Sequence, residues 1–299
     1  MKIGMIGLGK MGLHLTQNML HNQVEVVAYD VTAKAVEEAE QLGAEPAKDL
    51  QTLVAKLPAP RIIWVMIPAG APTQETVKKL GDLLQPGDIL IDGGNSFYED
   101  SIKRGEELAA KQIHFFDVGS SGGMAGALKD GNFMIGGPAE IFPVIEPLFK
   151  KIAAEKGYLY TGPSGSGHYL KMVHNGIEYG MMQAIGEGFD LLQHSPYNYN
   201  NEKVAEMWNH GSVIRSWLME LAANAFQKDG QLDEIKGIMY SSGEGKWTVE
   251  EALKREVAVP VIATSLMMRY RSLEEDTFTG KVVAALRNEF GGHAVSKKE

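Results

Sequence analysis

The sequence predicts an α/β domain followed by an all-α domain, and three observations carry that prediction. Across the first half, short apolar runs alternate with helical patterns. A glycine-rich segment, Thr161-Gly162-Pro163-Ser164-Gly165-Ser166-Gly167, then interrupts the alternation. Beyond it only helical spacing remains. A chain of 299 residues also suits about two domains at roughly 150 residues each. The division is expected as 1–163 and 164–299.

Apolar runs at 2–6, 25–29, 61–67, 88–91, 114–118, 133–135 and 158–160 read as buried strands. Helical patterns at 11–20, 33–42, 73–84, 100–111 and 139–153 lie between them. Apolar strand, amphipathic helix, apolar strand is the pattern of a mostly parallel sheet covered on both faces. The second half reads as helices over 167–193, 201–208, 213–226, 249–255, 257–271 and 281–290, with a frayed tail at 296–299.

Composition narrows the function classes. Lys and Arg number 29 against 38 Asp and Glu, a net charge of −9, with a pI near 5.5. That balance argues against nucleic-acid binding, which a basic patch would drive. There is no cysteine, which excludes disulfides, thiolate metal sites and a cysteine nucleophile. It also fits a reducing compartment, and a cytoplasmic location is expected. The longest apolar run, 62–71, is broken by Pro68 and Gly70 and is far short of the ~18 residues of a membrane span. The first residues lack the features of a signal peptide. No clustered carboxylates or paired histidines show metal-ligand spacing, so no metal is expected.

Glycine supplies 34 residues, above the usual ~7%. Three of them form Gly7-Leu8-Gly9-Lys10-Met11-Gly12 between the first strand and the first helix. The first glycine permits the tight turn, the second lets a pyrophosphate approach, and the third lets helix and strand pack closely. Asp30 ends the second strand, where a carboxylate accepts hydrogen bonds from an adenosine ribose. The first domain is therefore expected to be a Rossmann-type dinucleotide-binding domain. Asp30 repels a 2′-phosphate and no arginine follows it, so NAD is favoured over NADP.

The segment 167–180, GHYLKMVHNGIEYG, concentrates chemistry on one helix. Lys171, His174, Asn175 and Glu178 share a face at 3.6 residues per turn, while Leu170, Val173 and Ile177 lie on another. A solvated face of i,i+3 and i,i+4 pairs is the plain alternative. Two glycine-rich loops follow strands and belong near the ligand-binding edge of the sheet: 91–96, with Asn95, and 118–127, with Ser120 and Ser121.

Together GLGKMG, IDGGNSFYEDS, SSGG, KMVHNGIEYG and GKWT resemble 6-phosphogluconate dehydrogenase of the decarboxylating type. The resemblance runs along almost the whole chain, whose length is nearer the short, NAD-linked members. It implies oxidative decarboxylation of 6-phosphogluconate to ribulose 5-phosphate and CO2, a pentose phosphate pathway reaction, with hydride transfer to NAD. By the same resemblance Lys171 is the general base and acid and Glu178 the second acid. The lysine role requires a side chain able to be neutral, which burial or a neighbouring cation favours. Asn95, Ser121, Gly122 and Gly123 match contacts to substrate and nicotinamide. His174 and Asn175 match substrate carboxylate and hydroxyl contacts, and Tyr179 and Arg269 match phosphate contacts.

The long members carry a lysine and a threonine where this chain has Ser242 and Glu244. A carboxylate facing a phosphate is unfavourable, so the loop is expected to sit differently or Glu244 to point away. Arg287 and His293, in LRNEFGGH at 286–293, match a tail that reaches the phosphate of another subunit. Gly291-Gly292 would end the last helix. A homodimer, or a dimer of dimers, is implied. A 3-hydroxyisobutyrate-type dehydrogenase acting on a non-phosphorylated acid is the rival enzyme, because it shares the glycine motif and a Lys-x-x-x-Asn helix. A dinucleotide-binding protein without turnover is the non-enzyme rival.

Overall fold

A computed structural model describes residues 1–297, in two compact units, Met1–His174 and Asn175–Glu299. The first unit contains β1 (Lys2–Ile6), α1 (Lys10–His21), β2 (Glu25–Tyr29), α2 (Ala33–Gln41), β3 (Glu45–Pro46), α3 (Leu50–Ala55), β4 (Ile62–Val65) and α4 (Ala71–Leu83). It continues with β5 (Ile89–Asp92), α5 (Tyr98–Ala109), β6 (His114–Ser121), α6 (Gly123–Leu128), β7 (Gly131–Gly136), α7 (Phe142–Ile152) and β8 (Ala153–Gly162). Helix α8 (Ser166–Gln193) begins in this unit and runs into the second. Its first turns pack on β6, and the compact units divide after His174.

The eight strands form one sheet in the order β3-β2-β1-β4-β5-β6-β7-β8. Every pairing is parallel except β6 with β7. The link 122–130 is too short for a parallel crossover, which takes about a dozen residues or more, so β7 returns antiparallel. Alternate strand residues feed two cores. Ile62 and Trp64 face one with Met5, Phe116 and Phe149; Ile63 and Val65 face the other with Leu53, Leu80 and Phe115. Period-two burial on both faces is why these strands read as continuous apolar runs. The two-residue β3 and the short α3 and α6 carry too little periodicity to be read from sequence. Residues 123–127, expected as loop, are helical.

The second unit contains the rest of α8, then α9 (Asn201–Asn209), α10 (Trp217–Lys228), α11 (Gly243–Lys254), α12 (Pro260–Ser272) and α13 (Phe278–Gly291). Among the described residues no strand follows Gly162. Phe189, Ala205, Met219 and Phe226 form its buried cluster. α10 starts at Trp217, later than the apolar Val213 suggested, because the Ser216 hydroxyl accepts from Met219 N at 3.1 Å and caps it. α11 starts at Gly243, so the GEGKWT segment expected as a loop is its first turns. Gly176 and Gly180 serve helix packing, since a Cβ there would lie 2.7 Å from Thr248 Cγ2 and 3.1 Å from Val261 Cγ1. α13 ends at Gly291, with Gly292 at φ +65° donating to Asn288 O. Ser296 and Lys297 have no regular structure; Lys298 and Glu299, the rest of the expected tail, lie outside the described residues. No helix among the described residues is long and apolar enough to cross a membrane.

The first turns of α8 lie against β6 with almost no side chain between them. A Cβ on Gly167 would sit 2.4 Å from Asp117 O and 2.5 Å from Met134 O, and one on Gly119 would sit 2.3 Å from Lys171 Cβ. Asp117 satisfies the start of the helix: its carboxylate accepts from Gly165 N at 2.6 Å and His168 N at 2.8 Å. Burial pushes this carboxyl above the ordinary carboxylate range, against the pull of His168 and of the two N–H donors.

Two glycines on α8 therefore predict opposite results. Gly167→Ala drives a methyl into backbone oxygens and should lower stability by at least ~1–3 kcal/mol. Gly186→Ala, where a Cβ meets nothing within 4 Å, should raise it by ~0.5–1 kcal/mol. Thermal unfolding followed by circular dichroism checks both.

Candidate active site

The dinucleotide motif adopts the geometry its spacing predicts. Gly7 ends β1 at φ +93°, and a Cβ there would lie 2.3 Å from Met66 O. Gly12 is pressed against the same turn, where a Cβ would lie 1.9 Å from Gly7 O. Gly9, the N-cap of α1, differs from both: its φ is −62°, and a Cβ would meet nothing within 4 Å. Its missing side chain leaves open a cradle at a helix N-terminus that a Cβ would fill, which fits a pyrophosphate. Lys10 is exposed and Met11 half-buried in the first turn, and Leu8 is buried beneath it. Asp30 closes the turn by accepting from Leu8 N at 2.7 Å and Thr32 N at 2.8 Å. These two bonds fix the carboxylate beside the glycine turn, where a ribose would meet it.

A second cluster lies along β6 and α8 within the first unit. The residues of β6 that point one way are Asp117, Gly119 and Ser121, and successive turns of α8 meet them. Asp117 takes His168 N, Gly119 receives the stem of Lys171, and Ser121 Oγ lies 3.0 Å from His174 Nε2. The strand's period of two thus meets the helix's i,i+3 row. Lys171 is only 7% exposed. Gly122 (φ +101°) and Gly123 (φ +57°) turn the chain from β6 into α6, beside Ser121. Asn95 is exposed on the loop after β5. Asp92 holds that loop, accepting from Gly94 N at 3.1 Å and Ser96 Oγ at 2.7 Å, and is itself held by Arg104 Nη1 at 3.0 Å.

The same helix inverts the usual rule of amphipathic burial. Lys171 and Asn175 are buried at 7% and 9%, whereas apolar Leu170 and Ile177 are 38% and 53% exposed. A solvated polar face, the plain alternative for this segment, is not what forms.

In the second unit α8 carries Asn175, Glu178 and Tyr179. The Tyr179 hydroxyl accepts from Ser242 N at 2.9 Å and lies 3.1 Å from Ser242 Oγ. The Arg269 guanidinium stacks 3.6 Å from the centre of the Tyr179 ring, and its Nη1 donates to Tyr240 O at 2.7 Å. Ser242 therefore stands beside two residues expected to contact phosphate. Glu244 is in the first turn of α11 and is buried at 3% exposure, whereas Ser242 is exposed. Arg287 and His293 are exposed on α13 and the tail after it, and Asn288 Nδ2 donates to His293 O at 2.8 Å.

Sequence reasoning missed Gly119 as the seat of Lys171, and missed Arg104 and Ser101. A signal for the latter pair exists, because they fall in the buried stripe Tyr98, Ser101, Arg104, Leu108 of α5.

The open cradle at Gly9 gives a test of cofactor binding. Gly9→Ala should leave the melting temperature nearly unchanged yet weaken NAD binding by ~10-fold or more, since its methyl occupies the pyrophosphate approach. Gly7→Ala should lower both. Titration calorimetry with NAD, beside thermal melts, separates the two.

Residues 2–162 match the NAD binding domain of 6-phosphogluconate dehydrogenase, and residues 167–298 match its C-terminal domain. YqeC of Bacillus subtilis, provisionally named a 6-phosphogluconate dehydrogenase, is 57% identical over 298 residues, 100% of both chains. The NAD(+)-dependent, decarboxylating 6-phosphogluconate dehydrogenase of Haloferax volcanii is 43% identical over 301 residues, again 100% of both. The solved structure of Plasmodium falciparum 6-phosphogluconate dehydrogenase superposes with a TM-score of 0.85 at 32% identity, over 100% of this chain and 67% of that one. With a dinucleotide cradle in its first unit, a buried lysine on α8 packed against β6 and likeness along its whole length, this chain belongs to the 6-phosphogluconate dehydrogenase family, and residues 2–162 are that family's NAD-binding domain.

Proposed function

We propose that the protein is an NAD-linked, decarboxylating 6-phosphogluconate dehydrogenase. The observation that carries the reading is Lys171, buried on Gly119 one turn from the His174–Ser121 pair. A buried lysine among hydroxyl and imidazole groups, beside a dinucleotide domain, suits proton transfer from a substrate hydroxyl. Gly7, Leu8, Gly9, Lys10, Met11 and Gly12 would hold the dinucleotide phosphates and Asp30 the ribose. When bound, the nicotinamide would supply the acceptor for a hydride from the carbon bearing the substrate's 3-hydroxyl. Lys171 Nζ accepts that hydroxyl's proton. The resulting ammonium then donates to the new carbonyl oxygen while the carboxylate on the neighbouring carbon leaves as CO2, its bonding pair passing into an enolate on that oxygen. Glu178 returns a proton to the carbon that lost the carboxylate. Asn95, Ser121, Gly122, Gly123, His174 and Asn175 orient the sugar acid.

The phosphate end rests on Tyr179, Arg269 and Ser242. The stacked guanidinium is aligned by its bond to Tyr240 O. A short hydroxyl side chain at 242 replaces the long cation of longer relatives and lies against the Tyr179 hydroxyl. NAD preference is supported by Asp30, whose carboxylate, held beside the glycine turn by Leu8 N, would repel a 2′-phosphate. A homodimer is supported by α13, a helix from Phe278 to Gly291 with no buried residue of its own. Phe278, Val282, Leu286 and Phe290 are exposed along it, and covering such a stripe is what a second copy would do.

Initial rates with 6-phosphogluconate and each cofactor, with CO2 measured, test the reading. A higher kcat/KM is expected with NAD, and a higher value with NADP would refute the NAD linkage. Turnover of only a non-phosphorylated 3-hydroxy acid would favour the rival enzyme. Asp30→Asn with Val31→Arg should move the preference toward NADP by removing repulsion and adding a cation. Lys171→Met should abolish oxidation and decarboxylation while NAD still binds. Glu178→Gln should slow turnover by roughly 100-fold or more.

The shared tail has its own test. Arg287→Ala should raise KM for the phosphorylated substrate far more than KM for NAD. Mixing Lys171→Met with Arg287→Ala subunits should restore roughly one intact site per mixed dimer. No recovery in verified heterodimers, or full activity in a stable monomer, would contradict composite sites.

A further inference from the structure

Helix α5 carries two buried polar side chains, Ser101 and Arg104, three residues apart on one face. Each reaches a different part of the site in the first unit. Ser101 Oγ lies 2.7 Å from His168 Nδ1, one helical turn before Lys171. His168 is buried, and its Nε2 has no hydrogen-bond partner, so Ser101 alone fixes the ring through hydrogen bonding. Arg104 donates from Nη1 to Asp92 Oδ2 at 3.0 Å and from Nε to Gln74 Oε1 at 2.9 Å. Asp92 in turn holds Gly94 N and Ser96 Oγ, on either side of the exposed Asn95. The loop has little room to relax: a Cβ on Gly93 would lie 2.1 Å from Trp64 Nε1, and one on Gly94 2.9 Å from Ile67 O.

Stability alone does not account for this arrangement. A fully buried ion pair pays desolvation for both charges, and an apolar pair of similar volume often serves a fold equally well. What the pair supplies is direction, because each hydrogen bond fixes one atom of the loop or of the helix turn. We infer that Ser101 and Arg104 are positioning residues, which through His168 and Asp92 set the spacing between the Lys171 turn of α8 and the Asn95 loop. The inference rests on the proposed dehydrogenase reading, in which Lys171 and Asn95 act on one substrate. α5 is then the brace that holds both to a common reference.

The test compares Ser101→Ala, Arg104→Met and Arg104→Lys with a control, Arg61→Met. The control breaks another ion pair of the same unit, Arg61 Nη1 to Asp88 Oδ2 at 3.0 Å, at the opposite ends of β4 and β5. Ser101→Ala and Arg104→Met should lower kcat with 6-phosphogluconate by ~10- to 100-fold, the scale of a 1 Å misplacement. NAD affinity should stay within about 2- to 3-fold of wild type, since the glycine cradle is untouched. Arg104→Lys, which keeps a cation for Asp92, should recover part of kcat. Amide exchange should quicken at 165–171 in Ser101→Ala and at 93–97 in Arg104→Met. Arg61→Met should lower the melting temperature yet keep kcat. Should Arg104→Met fail to fold, Ser96→Ala removes a loop donor from Asp92 without unpairing a charge, and the same losses are expected. Equal loss of kcat in the control at matched folded fraction, or unchanged kcat in Ser101→Ala and the loop variant, overturns the inference. If the wild type does not turn over 6-phosphogluconate, the dehydrogenase reading fails by itself. Exchange then decides, and unchanged protection at both segments overturns the positioning role.

Discussion

The close approach of α8 to β6 is the constraint on which the rest of the first unit depends. Backbone meets backbone there because Gly119, Gly136 and Gly167 present no Cβ. One built on Gly136 would strike Asp117 Oδ1 and Gly167 N at 2.7 Å. Such contact leaves the first N–H groups of the helix without water, so a carboxylate must be buried to receive them. Asp117 does this, and burial raises its pKa as the cost of the arrangement. Once the helix start is fixed, the i,i+3 row His168, Lys171, His174 falls on Asp117, Gly119, Ser121 in register.

That register explains why the polar row of α8 is buried and part of its apolar row is not. A surface helix normally turns its apolar stripe to the core. Here the contact with β6 admits only what glycine and serine leave room for, and a lysine stem fits where a branched side chain would not. The unsatisfied apolar side of the helix and the bare face of α13 both support the proposed association of copies, since large apolar patches seldom stay uncovered.

Two groups of residues proposed to meet the substrate, one in each unit, are held by different physics. In the first unit, short bonds between buried groups tie the Asn95 loop and the Lys171 turn to α5. In the second unit a stacked guanidinium and a tyrosine hydroxyl are assembled at the exposed start of α11.

Residue order alone determined the alternation of strands and helices, the change to helices after the glycine-rich turn, and the glycine cradle with Asp30. Each is set by neighbours within a few residues: apolar period, backbone freedom at glycine, and a carboxylate at a strand end. The grouping of Lys171, His174, Asn175 and Glu178 on one helix follows from the 3.6-residue turn in the same way. Only tertiary structure decided which side of that helix is buried, because burial depends on Gly119 and Asp117, some fifty residues earlier. It also decided the reversal of β7, set by a short link, and the helical start of α11, where Ser242 pairs with Tyr179 across sixty-three residues. The Asp92–Arg104 and Ser101–His168 bonds belong to the same class. Their partners lie on different elements, and no local pattern in the chain specifies which buried polar group will meet which.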